Sequence, residues 1–313
     1  MSHDLVVLED VCRFYGEVLG VNHINLSIGP GITSLVGPNG SGKTTLLSLI
    51  AGLIRPSKGR ISVLGYRPDQ PQQLMRILGY ATQFDSFPMG LTGLGLIYSL
   101  LRMSGYPHSD CRKMANQALE QVGLVQDSHR RIGAYSKGMK QRLKLACAIA
   151  HQPQVLLLDE PLNGLDPLIR ATIIQMLRRL GREGRHVIIS SHVLNEVEMI
   201  SDQVVLLSGG YVAAEGPIHT VRTEIKDQPM EFLIQCDKPR LLACSIFQHD
   251  HVVEARLLPE DQGLLVKTRD ANQFCRTICR LALGQVQIHG IIPTDDNVRS
   301  IYEYLVGNQE ASK

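Results

Sequence analysis

Residues 37 to 44 read Gly-Pro-Asn-Gly-Ser-Gly-Lys-Thr, which satisfies the pattern G-x-x-x-x-G-K-[ST] at every fixed position. An apolar run at 32–36 precedes the motif and a helical pattern at 45–54 follows it, so strand, loop and helix stand in the order that a phosphate cradle needs. Glycines let the backbone curl until successive N–H groups face one anion, and the positive end of the next helix adds to them. Gly37, Pro38, Asn39, Gly40, Ser41, Gly42, Lys43, Thr44 and the following Thr45 are the expected contacts to a nucleoside triphosphate. Lys43 is expected to reach the outer phosphates as a mobile, solvent-facing charge, and the Thr44 hydroxyl to ligate Mg2+. A glycine-rich turn that binds nothing has no need of the flanking strand and helix.

At 313 residues the chain exceeds the ~250 at which single cores tend to split, which predicts one large and one small domain. A net charge of +2, 5% aromatic residues and no Trp give no sign of a nucleic-acid surface. The arginines from Arg178 to Arg185 alternate with apolar residues at helical spacing and read as a solvated helix face. Seven cysteines (Cys12, Cys111, Cys147, Cys236, Cys244, Cys275 and Cys279) are scattered, with no C-x-x-C pair and no His spacing that points to zinc. Cys275 and Cys279 share one helix face. With no signal-like N-terminus, reduced thiols in a cytosolic protein are expected. No apolar run approaches the ~20 residues that span a bilayer, so work at a membrane requires a partner.

Residues 5–36 alternate apolar and polar positions as strands of an antiparallel layer do, with turns at Gly16, Gly20 and 29–31. Residues 60–64, 77–81, 155–158 and 187–189 read as strands of an open, mostly parallel α/β sheet. Helical periodicity at 92–104 and 109–123, with no strand between, predicts an all-helical insert. Asp166-Pro167 marks a helix start, with the helix running to about Arg182. Residues 226–229 read as a linker. Beyond it the order is strand 231–236, helix 239–247, strand 252–258, strand 264–268, helix 271–283, strand 286–292 and helix 298–306. This β-α-β-β-α-β order predicts a small ferredoxin-like domain.

Residues 155–160, Val-Leu-Leu-Leu-Asp-Glu, form an apolar strand ending in two carboxylates, which places them at the carboxyl edge of the sheet where α/β folds put ligands. Asp159 is the expected Mg2+ holder, and Glu160 the residue that orients or deprotonates an attacking water. Residues 135–142, Tyr-Ser-Lys-Gly-Met-Lys-Gln-Arg, open a helix upstream of that strand.

Together these features resemble the ABC ATPase family. The family's signature is usually Leu-Ser-Gly-Gly-Gln. This chain keeps the serine, the second glycine and the following Gln-Arg, and has Lys137 and Met139 within the motif. Variants of this kind look similar to the exporter branch that handles drugs, antibiotics, ions and polysaccharides. The resemblance implies that Ser136 and Gly138 bind the γ-phosphate of ATP held by the other subunit of a dimer, and that Tyr15, in Arg-Phe-Tyr-Gly, stacks on adenine. A core role for Tyr15 at the strand end is the alternative. It also implies that Gln83 touches Mg2+ and the attacking water, that His192 contacts the γ-phosphate, and that Asp166, in the segment 162–167, lies in the loop through which two ATP sites communicate.

The expected architecture is a P-loop NTPase of ABC cassette type, α/β, with a mixed sheet core, an antiparallel β layer and a helical subdomain, carrying a small C-terminal α+β domain. The boundaries are 1–225 for the nucleotide-binding domain, with its helical insert at about 84–150, and 226–313 for the accessory domain. The implied activity is Mg-dependent ATP hydrolysis. The implied partners are a second cassette and a separate integral membrane permease, on whose account the chain is expected at the cytoplasmic face of the membrane. Nucleic acid is not expected. A soluble relative acting on ribosomes or DNA is disfavoured by the single phosphate loop without zinc or coiled-coil inserts. An importer ATPase is disfavoured by the mixed α/β pattern after residue 229.

Overall fold

A computed structural model of the chain describes residues 5–84, 86–217, 230–258, 263–282 and 286–293. The chain divides into two compact units at Pro217/Ile218.

In the first unit, β1 (Val6–Tyr15), β2 (Val18–Ile28) and β4 (Lys58–Val63) form an antiparallel sheet in the order β2-β1-β4. A six-stranded sheet runs β5-β6-β7-β3-β8-β9, where β3 is Gly31–Val36, β5 Leu78–Ala81, β6 Val155–Asp159, β7 His186–Ser191, β8 Gln203–Ser208 and β9 Tyr211–Pro217. Five strands are parallel and β9 returns antiparallel to β8. The centre reads as continuous Val, Ile and Leu because helices and the second sheet cover both of its faces. Val155, Leu156, Leu157 and Leu158 are all fully buried.

The helices on those faces are α1 (Lys43–Ile50), α2 (Pro71–Ile77), α6 (Pro167–Arg182) and α7 (Leu194–Ile200), and the helical insert carries α3 (Gly93–Met103), α4 (His108–Gln121) and α5 (Lys137–Ile149). Helix α1 drives Leu46, Leu47, Leu49 and Ile50 into a core shared with Val6, Leu8, Ile24 and Leu35. At ~1.5–3 kcal/mol per buried aliphatic side chain, that face holds the phosphate loop against the sheet. Local chemistry sets the insert's helix starts: the Thr92 hydroxyl accepts from Gly95 N–H at 3.0 Å, and Ser136 caps α5 through Met139 N–H at 3.2 Å. On α6, Arg178, Arg179 and Arg182 are exposed, as a solvated face requires.

Two expectations are corrected. Residues 31–36 belong to the parallel sheet rather than the antiparallel layer, because β3 pairs with β7 and β8. Residues 58–63 do the reverse, pairing antiparallel with β1. Alternation alone identifies a strand and says nothing of its neighbour. Strands β8 and β9 were not anticipated.

The second unit contains β10 (Met230–Cys236), α8 (Pro239–Ile246), β11 (Val252–Leu257), β12 (Leu264–Thr268), α9 (Ala271–Ala282) and β13 (Ile288–Pro293). Its antiparallel sheet runs β11-β12-β10-β13, the strand order of a ferredoxin-like fold. Phe232, Ile234, Leu242, Ile246, Phe274 and Ile278 form its core, with Phe232 and Phe274 at 5.2 Å between ring centroids. The expected linker at 226–229 and terminal helix at 298–306 lie outside the described residues.

Candidate active site

The loop from Gly37 to Gly42 joins β3 to α1 and closes on tight backbone packing. A Cβ at Gly37 would lie 2.3 Å from the Leu207 carbonyl oxygen. One at Gly42, where φ is +104°, would lie 2.7 Å from that of Gly20. Among the described residues Ser41 Oγ is buried with no hydrogen-bond partner, an orphaned polar atom in a cradle built for an anion.

Lys43 differs from the mobile, solvent-facing residue expected of it. It is the first residue of α1, only 6% exposed, and its Nζ donates to the carbonyls of Gly37 at 2.6 Å and Pro38 at 2.9 Å. Burial lowers its pKa, opposed by the charges of Glu160 and Asp159. The cation is therefore preset under the loop.

Thr44 Oγ1 donates to Asp159 Oδ2 at 2.9 Å, across 115 residues of sequence. The Ser190 hydroxyl donates to the other Asp159 oxygen and accepts from Glu160 N–H at 2.9 Å. A hydroxyl and a carboxylate side by side form an oxygen donor set of the kind that suits Mg2+. The Asp159 charge also helps raise the neighbouring Tyr80 to about 12, after burial as the larger cause.

Glu160 is held from four directions. His192 Nδ1 lies 2.8 Å from both carboxylate oxygens, and Asn163 Nδ2 donates to Oε2 at 3.1 Å. Ser190 takes its backbone N–H and Gln141 Nε2 donates to its carbonyl at 2.9 Å. Its φ is +51°, a left-handed backbone rare for glutamate and one that costs about 1–3 kcal/mol to hold. This network aims a carboxylate at the sheet edge beside Asp159.

Tyr15 is 44% exposed, not a core residue. Its ring covers Gly20, where a Cβ would meet Tyr15 at 2.9 Å and the Thr45 methyl at 3.2 Å, so the ring stands beside the start of α1. The Arg13 guanidinium sits 4.8 Å from its centroid. Gln83 follows β5, whose Ala81 is in register with Leu158, and so stands at the same edge as Asp159. Its carbonyl accepts from Lys144 Nζ at 3.1 Å.

Ser136 and Gly138 are not brought to this loop. Ser136 caps its own helix, and Gly138 packs against the Gly164 carbonyl, 3.2 Å from where its Cβ would be. The Lys137 stem lies along Gly164. Asp166 is exposed at the head of α6. Among the described residues, no hydrogen bond joins Ser136, Gly138 or Asp166 to the phosphate loop.

Sequence reasoning missed Ser190, Gln141, Asn163 and Lys144 as partners of the site. The register that pairs Asp159 with Ser190 was the one discoverable signal, had β6 and β7 been aligned by their carboxyl ends.

Comparison with known proteins agrees with this geometry. The ABC transporter family profile matches residues 21–163. The chain is 36% identical over 309 residues to the bacitracin transport ATP-binding protein BcrA of Enterococcus faecalis, covering 97% of this chain and 96% of that protein. It is 35% identical to the uncharacterized ABC transporter ATP-binding protein YxlF of Bacillus subtilis, over 70% of this chain and 73% of that protein. Among solved structures, an ATP-binding subunit of an ABC transporter superposes with a TM-score of 0.65 at 26% identity, over 71% of this chain and 93% of that one. A dimeric cassette in a post-hydrolysis state, bound to ADP and Pi, superposes with a TM-score of 0.63 at 26% identity, over 68% of this chain and 98% of that one. Overall sequence identity, shared fold and the converging Thr44, Asp159 and Glu160 thus place the chain in the ABC transporter ATP-binding family, the ATP-hydrolysing subunits of ABC transporters.

Proposed function

We propose that this chain works as one of a pair of cassettes, hydrolysing MgATP to drive export through a separate integral membrane permease. The observation that carries the reading is the Glu160 carboxylate, fixed by His192 and Asn163 beside the Thr44–Asp159 pair. In this reading residues 1–225 are the ATPase and 226–313 an accessory domain.

Loop N–H groups and Lys43 bind the β- and γ-phosphates, and Tyr15 stacks on adenine. Thr44, Asp159 and Gln83 would hold Mg2+, which would neutralise phosphate charge there. Glu160 accepts the proton of the attacking water as the new P–O bond forms and the bond to ADP breaks, and His192 positions the carboxylate and neighbours the γ-phosphate. Ser136 and Gly138, which make no hydrogen bond to the loop of their own chain among the described residues, complete the partner's site, and Asp166 lies between the two. Phe84, Met89, Leu91 and Leu100 expose apolar surface, which suits a permease and a peripheral position at the cytoplasmic membrane face. Export follows the bacitracin transporter relative and the doxorubicin resistance protein DrrA of Mycobacterium tuberculosis, 32% identical over 71% of this chain.

The test is ATP hydrolysis by the chain co-purified with the permease encoded beside it, in Mg2+ and after chelation, together with transport in inside-out vesicles. Hydrolysis is expected only with Mg2+, with ATP-driven accumulation inside the inverted vesicles. Hydrolysis unaffected by chelation would remove Mg2+ from the reading, and substrate loss from those vesicles would replace export by import.

A further inference from the structure

Strands β1 and β2 break their register three times, between Leu8 and Val11, between Val11 and Arg13, and between Arg13 and Phe14. Asp10 and His23 sit at these breaks in left-handed backbone, with φ of 50° and 49°. Leaving the regular pleat brings both side chains to Cys12. The ligand atoms of Asp10, Cys12 and His23 all lie within 4.8 Å of one another. Asp10 and His23 are each 60% exposed and paired through Oδ1 and Nδ1, whereas Cys12 is buried beneath them. The surroundings hold this arrangement. Asn25 accepts from Asp10 N–H at 2.9 Å and donates to the His23 carbonyl at 3.3 Å. The His23 N–H donates to Cys12 Sγ at 3.3 Å, tying the two residues together. None of these residues belongs to the ATP site.

We infer that Asp10, Cys12 and His23 form a binding site for one thiophilic divalent cation, with Zn2+ the best fit. One sulfur, one imidazole nitrogen and one carboxylate oxygen make a donor set that zinc takes and that oxygen-seeking Mg2+ does not. A tetrahedral zinc needs roughly 3.5 Å between the sulfur and its neighbours, a geometry that two exposed side chains reach by rotation. A water takes the fourth position. On binding, the Cys12 S–H, now donated to Asn22 Oδ1 at 3.2 Å, gives its proton to solvent as the S–metal bond forms. The ion clamps β1 to β2 where their register breaks.

Co2+ titrated into the reduced full-length protein tests this, because thiolate-to-cobalt charge transfer reports sulfur ligation and the oxygen ligands of the phosphate loop are silent in it. A saturable band at one Co2+ per chain is expected, displaced by Zn2+ and not by excess Mg2+. It should vanish in Cys12→Ala and survive in the double variant Cys275→Ala/Cys279→Ala. Asp10→Asn and His23→Asn keep a side chain suited to left-handed backbone, so they should fold normally and bind at least ~10-fold more weakly. No band in the wild-type protein, a band retained in Cys12→Ala, loss of the band in the Cys275/Cys279 variant, or full affinity in both Asn variants would each overturn the site.

Discussion

Glu160 shows how one side chain concentrates the demands of the site. Its carboxylate is buried and bound by His192 and Asn163, while its backbone holds a left-handed conformation at some cost. Glu160→Gln retains shape and hydrogen-bonding reach but is a far poorer proton acceptor, so ATP binding is expected to survive while turnover falls by about 10²-fold or more. Single-turnover hydrolysis decides it, and a rapid Glu160→Gln enzyme would remove Glu160 as the base. Tyr15 offers an independent check on the other end of the nucleotide. Exposed over Gly20, it has little core packing to lose, so Tyr15→Ala should weaken nucleotide affinity by about 1–3 kcal/mol with the melting temperature nearly unchanged. Tyr15→Phe should bind as well as the wild type. Calorimetric titration of all three proteins separates stacking from a structural role, and equal affinities would end the stacking assignment.

At the scale of elements, α6 and α7 are joined by an ion pair close to the Glu160 carboxylate. Arg170 meets Glu196 at 3.0 Å, with Glu196 almost wholly buried. Burial pushes the Glu196 pKa up and Arg170 holds it partly down. Arg170→Met is therefore expected to destabilise the first unit by about 1–3 kcal/mol, a magnitude tempered by the partial exposure of Arg170. A carboxyl whose folded pKa lies above its unfolded one favours the fold while protonated and loses that advantage as pH rises through the folded pKa. Removing Arg170 raises the folded value further. The deficit should accordingly be largest near neutral pH and shrink on acidification, as urea midpoints at the two pH values will show. A deficit that grows in acid would mean that Glu196 is not the group involved. The helical insert was legible at this scale because its periodicity and its caps, Thr92 and Ser136, are local.

Across the whole molecule, the informative fact is that among the described residues no hydrogen bond joins Ser136 or Gly138 to the phosphate loop of their own chain, and their contacts are to α5 and the Gly164 segment. A second chain supplies the missing half in the proposed reading. Glu160→Gln protein given MgATP should accumulate as a dimer, and Ser136→Arg in the same background should weaken it by placing bulk and charge against the γ-phosphate. Size-exclusion mass with and without MgATP reads both outcomes, preferably with the permease present. A trapped dimer indifferent to Ser136→Arg would refute the shared site.

The sequence by itself determined the phosphate loop, the strand ending in Asp159-Glu160, the start of α6 at Asp166-Pro167 and the strand–helix order of the second unit. Each of these is written in consecutive residues, through turn chemistry or the period of one element. Tertiary structure alone decided which strands are neighbours. That is why β3 and β4 exchanged sheets relative to expectation, and why Ser190 reaches Asp159 and Glu160. It also decided the burial of Lys43, whose ammonium settles on the carbonyls of its own loop only once α1 is packed against the sheet. The meeting of Cys12 with His23 has the same origin. Pairing between strands is set by burial and register over long separations, and a side chain's partners there depend on a shift of one residue that no local pattern encodes.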